Sequence, residues 1–398
     1  MPKMTSLFIL CAPRFDSQRV AAARRDMQKN RPQTYIPPRS WPKTESQCAL
    51  AACRRTRGDS MRSGEETLYV DPATREALTL ENAVRDGDTV VSGTLVSASG
   101  HRFEIASGVP NFVYPFELPQ ADREALRETE ARVEGYDRYL PLTFATYGED
   151  EQAVRNAMID KLDLQPGMVV LETGAGTGRD SELLAQRLGP RGKLYIQDIA
   201  PSFLAKNIER MRGAEPQIEP ALANGYYLPL PDNSVDACYH FGGINAYADI
   251  RRGFAEMARV TKPGGKIVVG DEAMPPWLRD TEFARVLINS NPEFAYSIPL
   301  DKLPVEARKT RIEWIIGGVF YVIDFTVGEG EPQADFDFPI PGTRGGTHRT
   351  RYYGQLEGVS PEAKRLAYEA RAKTGKSMHQ WLDEVVRAAA RRDLDSQD

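Results

Sequence analysis

The chain has 398 residues, 41% hydrophobic and 27% charged, with a formal net charge of −5, enough for one large domain with appendages and a substantial core. The mildly acidic balance argues against a general polyanion-binding surface. Its 4 cysteines show no metal-ligand spacing, so neither a disulfide framework nor a metal site is expected.

In chain order, residues 1–64 are expected to form a disordered basic leader. The first 60 hold 12 Lys/Arg against 4 Asp/Glu, leaving 39 against 52 in the remainder, and they are rich in Arg, Pro and Gln without hydrophobic periodicity. The apolar run Ser6 to Leu10 is too short for a signal peptide and no stretch is long enough to span a membrane, so a cytoplasmic protein is expected. An Arg-rich, acid-poor start is also what a mitochondrial transit peptide carries; translation from Met61 is the preferred reading. Arg57-Gly58-Asp59 is read as a chance tripeptide. Cys11, Cys48 and Cys53 lie in this leader, and Cys238 alone within the fold.

Residues 65–118 read as a small β-rich module, with a strand at Gly93 to Ser97 and a hairpin from Gly100 to Val113. The main domain is expected over residues 119–330. It opens with a charged helix from Gln120 to Glu134, followed by Tyr136 to Tyr139 and Phe144 to Gly148. An apolar strand, Val169 to Thr173, then runs into Gly174-Ala175-Gly176-Thr177-Gly178 and a helix through Asp180 to Ala185. Such a turn needs positive φ, and a ligand against the main chain leaves no room for a Cβ, so glycine meets both demands. The helix N-terminus beyond it favours an anionic group on the ligand.

Asp198 closes the next apolar run, which starts at Lys193. A carboxylate there, after a glycine turn, is how an open parallel sheet holds a ribose-bearing ligand. Glu172, two residues before the first glycine, would repel a pyrophosphate but suits a ligand carrying an ammonium and a sulfonium. Further strands are read at Ala237 to Phe241 and Lys266 to Asp271, joined by an amphipathic helix from Arg252 to Thr261 that stops at Pro263-Gly264-Gly265. A helix near Trp277 to Asn289 leads to two β-rich runs between Thr310 and Val327 around Gly317-Gly318, a hairpin signal.

The glycine turn, Glu172, Asp198 and the run Ala223 to Asp236 agree in order and spacing with the class I S-adenosylmethionine-dependent methyltransferases. Over about residues 140–327 the chain resembles the group that includes the ubiquinone/menaquinone C-methyltransferases. The resemblance implies an α/β fold, a seven-stranded doubly wound sheet with an antiparallel strand seven, and S-adenosylmethionine as cofactor. By it, Gly174, Ala175, Gly176 and Gly178 cradle the cofactor, Glu172 meets its ammonium, Asp198 the ribose hydroxyls and Ile199 the adenine face. Asn224 and Gly225 fall on the segment that wraps the adenine. The family usually has an acid where Asn224 stands; an amide oxygen can accept from the adenine amino group. Tyr147 is the preferred lid residue, with ordinary core packing as the competing reading. The N-terminal module resembles a zinc-ribbon-like module often placed ahead of such methyltransferases, but lacks its two cysteine pairs. Its shape is expected without metal, since His101 alone makes no zinc site.

Residues 331–398 form a C-terminal extension. Pro341 to Tyr353 gathers glycines, three arginines and a histidine, and His348 and Arg351 are candidates to clamp an anionic substrate group; a solvated loop is the competing reading. Ser360-Pro361-Glu362 starts a helix, and Gly375-Lys376-Ser377 separates it from a second through Trp381 to Val386. With Arg349, Arg351 and Tyr353 alternating on one strand face, the segment also resembles a ribbon-helix-helix module, which would dimerise and read DNA. A helical cap packed on the sheet is the preferred alternative.

The expected reaction is C- or O-methylation of a small molecule by in-line displacement, which needs alignment and, for a hydroxyl acceptor, a base. His240, at the carboxyl end of the fourth strand, is the candidate base, with Asp271 and Glu272 as alternatives; a backbone-anchoring or packing role for His240 is the competing reading. The Asp/Asn-Pro-Pro-aromatic signature of amino-methyltransferases would fall where His240-Phe241-Gly242-Gly243 stands, which disfavours adenine or glutamine N-methylation. The competing function is a DNA-binding or dimerisation protein that uses the fold as a sensor or scaffold. A nucleic-acid or protein acceptor is disfavoured by the acidic body; a homodimer is compatible with the sequence.

Overall fold

Two sheets hold the named strands of the computed structural model, which describes residues 68–87, 89–341, 346–353 and 359–395. The expectations placed on the leader, with Cys11, Cys48, Cys53 and Met61, lie outside the described residues. The chain divides into two compact units, Met1–Glu331 and Pro332–Asp398.

In the first unit, β1 (Leu78–Asp86), β2 (Thr89–Ser97), β3 (Arg102–Ala106) and β4 (Val109–Pro110) form an antiparallel meander. The alternation in β3 buries Phe103 and Ile105 and leaves Arg102 and Glu104 outside, the pattern of a sheet packed on one face. Its turns are tied by polar pairs: His101 Nδ1 lies 2.7 Å from Asp71 Oδ2, and Glu76 accepts from Ser99 N at 2.8 Å. Among the described residues no group of three His, Cys, Asp or Glu could hold a metal ion. The meander continues onto the main sheet, where Asn111 bridges Leu222 in parallel and Phe112 N–H donates to the Leu222 carbonyl at 2.7 Å.

Beyond the meander, α1 (Gln120–Tyr139), α2 (Pro141–Tyr147) and α3 (Glu151–Asp160) precede the main sheet. That sheet has the order β10-β11-β9-β8-β5-β6-β7. Strands β5 (Val169–Thr173), β6 (Lys193–Asp198), β7 (Gln217–Leu222), β8 (Val235–Phe241) and β9 (Thr261–Glu272) are parallel. The hairpin β10 (Ala307–Ile315) and β11 (Phe320–Val327) brings β11 antiparallel to β9, so the expected seven-stranded sheet with an antiparallel seventh strand is the one formed. Continuous apolar strands such as Val170 and Leu171 are buried because helices cover both faces. The helices joining the parallel strands are α4 (Arg179–Leu188), α5 (Pro201–Arg210) and α6 (Ile250–Val260), with α7 (Glu282–Ser290) after β9.

Several element ends shift by a few residues from the sequence reading, and three differences change the layout. The first helix continues to Tyr139, which carries Tyr136 and Asp137 with it. Strand β9 begins at Thr261 directly after α6, so Pro263-Gly264-Gly265 lies inside the strand; a Cβ on Gly265 would stand 2.5 Å from the Asp236 carbonyl oxygen. The segment after Trp277 is a 3-10 turn, Pro276–Leu278, then α7, opened by Thr281 Oγ1 accepting from Ala284 N at 3.1 Å.

The second unit holds α8 (His348–Tyr353), α9 (Pro361–Thr374) and α10 (Met378–Asp395). The strand that a ribbon-helix-helix arrangement needs is replaced by α8. Thr347 N donates to Thr350 Oγ1 at 2.8 Å and Thr350 N to Thr347 Oγ1 at 3.1 Å, a reciprocal cap that starts a helix where a five-residue alternation suggested a strand. Ser360 caps α9 and Gly375, at φ +69°, ends it, as expected. Among the described residues no helix is long and apolar enough to cross a membrane.

Candidate functional site

The carboxyl ends of β5, β6, β8 and β9 open into a cavity of about 740 Å³, covered by α1 and lined by Glu172, Asp198, His240, Glu272 and Tyr136 among others. Chain reversal at the end of β5 puts Gly174, Gly176 and Gly178 at φ of +65°, +55° and +89°, which Cβ-bearing residues rarely adopt. Only Gly176 meets open space. A Cβ on Gly174 would lie 2.8 Å from His240 Cε1, and one on Gly178 would lie 2.6 Å from Asn207 Oδ1. Gly174 and Gly178 therefore serve packing as well as conformation. Gly178 caps α4 and does not line the cavity, whereas Gly174, Ala175 and Gly176 do.

Asp198 is bound by the turn it faces. Its Oδ2 accepts from Gly176 N and its Oδ1 from Ala200 N, both at 2.8 Å. Burial pushes its carboxyl up to about 6, against the lowering effect of those backbone donors. Glu172 accepts from Ser181 Oγ at 2.5 Å and is raised well above the usual carboxylate range, by burial and then by the neighbouring Asp180. Asp180, in turn, accepts from Arg155 Nη1 at 2.7 Å. One guanidinium thus serves two carboxylates, Asp180 and Glu151, the latter at 2.9 Å, and stands near Glu172 without bonding to it. This donor set fits a cationic group, and its neighbours Asp198 and Gly176 fit a hydroxylated ring, so the residues present suit S-adenosylmethionine.

Ile199, Asn224 and Gly225 line the same end of the cavity. Asn224 Nδ2 donates to the Tyr114 carbonyl at 3.0 Å, and its Oδ1 accepts from Tyr226 N at 3.3 Å. Gly225 admits Tyr247, whose hydroxyl would stand 1.8 Å from a Cβ there.

The other end is more apolar, with Leu140, Phe144, Phe241, Ile316 and Phe320 around Glu272 and Glu293. Burial raises both of these acids, and each has Asp271 as a repelling neighbour. Asp271 itself is committed to structure, its Oδ2 accepting from Gly243 N at 3.1 Å and Asn245 N at 2.8 Å. His240 stands between the two ends, 1% exposed, its Nδ1 2.7 Å from the Thr173 carbonyl oxygen. A carbonyl can only accept, so the proton is assigned to Nδ1 and the lone pair to Nε2, which has no hydrogen-bond partner. Burial lowers the His240 pKa, partly offset by Asp271.

Tyr147 does not line the cavity; its ring fills the place of a Cβ on Gly317 at the β10–β11 turn. The cover is α1, pinned at three places: Tyr226 donates to Asp122, Ser202 N and Oγ donate to Glu130, and Asp137 accepts from Thr177 Oγ1 at 2.7 Å and from Arg179 and Arg210. His348 and Arg351 stand on α8 of the second unit. Sequence reasoning missed Asp180, Arg155 and Asp137. Asp180 carried a readable signal, an acid in the first turn of a helix; the other two reach the site from helices with no motif.

Comparison with known proteins bears on the same stretch. Residues 170–265 match the family described as a methyltransferase domain. Among curated relatives, the chain is 33% identical over 158 residues to a demethylmenaquinone methyltransferase of Corynebacterium urealyticum, covering 40% of this chain and 64% of that one. It is 34% identical over 111 residues to a ubiquinone/menaquinone biosynthesis C-methyltransferase of Bordetella avium, covering 28% and 43%. A third relative is an uncharacterised 37.1 kDa protein in a transposon of Streptomyces fradiae, 31% identical over 173 residues, covering 41% and 49%. The chain thus spans about half the length of these relatives. Among solved structures it is similar to a phosphoethanolamine N-methyltransferase of Haemonchus contortus in complex with S-adenosylmethionine, at 12% identity and a TM-score of 0.42, covering 57% and 63%, a likeness too distant to carry a conclusion.

Proposed function

We propose that this chain, whose central domain is a methyltransferase domain of the S-adenosylmethionine-dependent class, methylates a small molecule at carbon or oxygen. The observation that carries the reading is the order of strand ends around one cavity: Asp198 and Glu172 with the glycine turn at β6 and β5, His240 on β8, and Glu272 and Phe320 at β9 and β11. When bound, S-adenosylmethionine supplies a methyl group on a positively charged sulfur, already activated for displacement.

The residues of the chain supply position and proton transfer. Glu172, held protonated by burial in the free protein, gives up its proton as the ammonium arrives and then holds that group, while Asp198 and the Gly176 amide hold the ribose edge. Phe144, Phe241 and Phe320 pack an acceptor and keep water from it. For a hydroxyl acceptor, or a carbon made nucleophilic by an adjacent hydroxyl, His240 Nε2 takes the proton, because its Nδ1–H is committed to Thr173 and burial keeps the ring neutral near pH 7. Glu272 is the alternative base.

The test is calorimetric titration of the full chain with S-adenosylhomocysteine. We expect binding in the wild type and at least a tenfold loss in Asp198→Ala, the order of a lost charged hydrogen bond. Unchanged affinity in that variant, or no binding to the wild type, defeats the reading.

A further inference from the structure

Asn224 sits at a junction of three parts of the first unit. Its side-chain nitrogen donates to the main-chain carbonyl of Tyr114, a residue of the segment that leaves the N-terminal meander, and that amide is 2% exposed. The same side chain accepts from the Tyr226 main-chain N–H at 3.3 Å, and the Tyr226 phenol donates to Asp122 on α1. The surrounding backbone is joined just as closely: Phe112 N–H donates to the Leu222 carbonyl at 2.7 Å, and Val70 N–H to the Pro229 carbonyl at 3.0 Å. The Tyr114 ring rests edge-on against Tyr227, with centroids 5.0 Å apart, and Arg252 covers the other ring at 3.7 Å.

This arrangement explains the amide at a position where an acid is usual. The Tyr114 carbonyl is an acceptor and needs a donor opposite it. A carboxylate there would set oxygen against oxygen in a buried place, whereas an amide satisfies the carbonyl with its NH2. With the NH2 engaged by Tyr114, the amide oxygen is the end left for a ligand, and it retains a lone pair beyond the one given to Tyr226 N.

We propose that the N-terminal meander is a working part of the cofactor site: through the Tyr114 carbonyl it sets the orientation of Asn224, so that a hydrogen-bond acceptor meets the base and a base bearing an exocyclic amino group is selected. Asn224 is in this sense a positioning and specificity residue whose setting comes from another sheet. The inference rests on the cofactor reading above.

The experiment compares the full chain with Asn224→Asp and Asn224→Ala, titrating each with S-adenosylhomocysteine and with its deaminated analogue, which carries a carbonyl in place of the amino group. The wild type is expected to prefer the amino-bearing ligand by roughly tenfold or more, and Asn224→Ala to lose most of that preference. Asn224→Asp is expected to bind the amino-bearing ligand several-fold more weakly than the wild type. Hydrogen exchange on the unliganded proteins supplies a readout independent of binding: amides of residues 109–114 should exchange faster in Asn224→Asp than in the wild type. Wild-type preference in Asn224→Ala, or unchanged exchange at 109–114 in a folded Asn224→Asp, overturns the proposal while leaving the cofactor reading intact. A wild type that binds neither ligand defeats both.

Discussion

The two ends of the cavity are built in different ways. The end proposed for the cofactor is made of main chain and strand termini: Glu172 is the penultimate residue of β5, Asp198 closes β6, and Gly176 presents an amide to Asp198 at 2.8 Å. The end proposed for the acceptor is assembled from side chains that share only proximity, with Phe144 from α2, Phe241 and Glu272 from two strand ends, and Phe320 from the start of β11. Backbone placed by a sheet has one arrangement, whereas a wall of separate side chains changes shape with any one of them. A constant donor and a variable acceptor are what such a division allows.

The sharpest way to separate the two ends is to disable chemistry without touching the cofactor. His240→Asn should lower kcat by about a hundred- to ten-thousand-fold for a hydroxyl acceptor, the range of a lost general base, while calorimetry shows S-adenosylhomocysteine bound as before. Equal losses in binding and turnover would assign His240 to packing against Gly174 instead. Because burial lowers its pKa, the acid limb of the wild-type rate profile should lie below pH 6.5, the ordinary value for histidine.

Next in size are the acids of the cofactor end. Asp198→Ala should weaken S-adenosylhomocysteine by about 10- to 100-fold, since it removes a charged acceptor from both ligand and turn. Glu172→Gln, which keeps a partner for Ser181 but loses the charge, should cost roughly tenfold.

Titration gives the same comparison a sign. Asp198 is raised in the folded protein from 3.8 to about 6, so the fold binds its proton more tightly than the unfolded chain does. Its contribution to unliganded stability is full below pH 3.8 and is lost as pH rises through 6, by about 3 kcal/mol at most. Cofactor affinity runs the other way, increasing between pH 5 and 7 as the carboxylate forms. Thermal melts and titrations of Asp198→Asn should show both slopes flattened. The smallest effect is expected from Asp137→Ala, which loosens α1 from the turn and should weaken binding about fivefold, read by titration, for a loss of about 1 kcal/mol.

How far each end was legible from the sequence follows from the same contrast. Glu172, Gly174, Gly176 and Asp198 lie within a short span and repeat a spacing that a strand and a turn impose, so their meeting at one cavity could be read before the fold was known. Asp137 and Thr177 are separated by 40 residues and meet only because α1 folds back over the turn; no local pattern announces that. Tyr147 and Tyr136 both precede the glycine turn, and only the extension of α1 to Tyr139 decides that Tyr136 lines the cavity while Tyr147 packs on Gly317. In the second unit, the alternation of Arg349, Arg351 and Tyr353 is too short to outweigh the Thr347–Thr350 cap.

The pinning of α1 has a consequence for how occupancy can be seen. A 20-residue helix so rich in charge would exchange its amides quickly if it stood alone. Here its two ends and its middle are fastened to the Tyr226 loop, the start of α5 and the glycine turn, so its fluctuations are those of the turn. A ligand that stills the turn should therefore slow exchange along residues 120–139, including positions it never touches, and make the helix a spectroscopic gauge of the site beneath it.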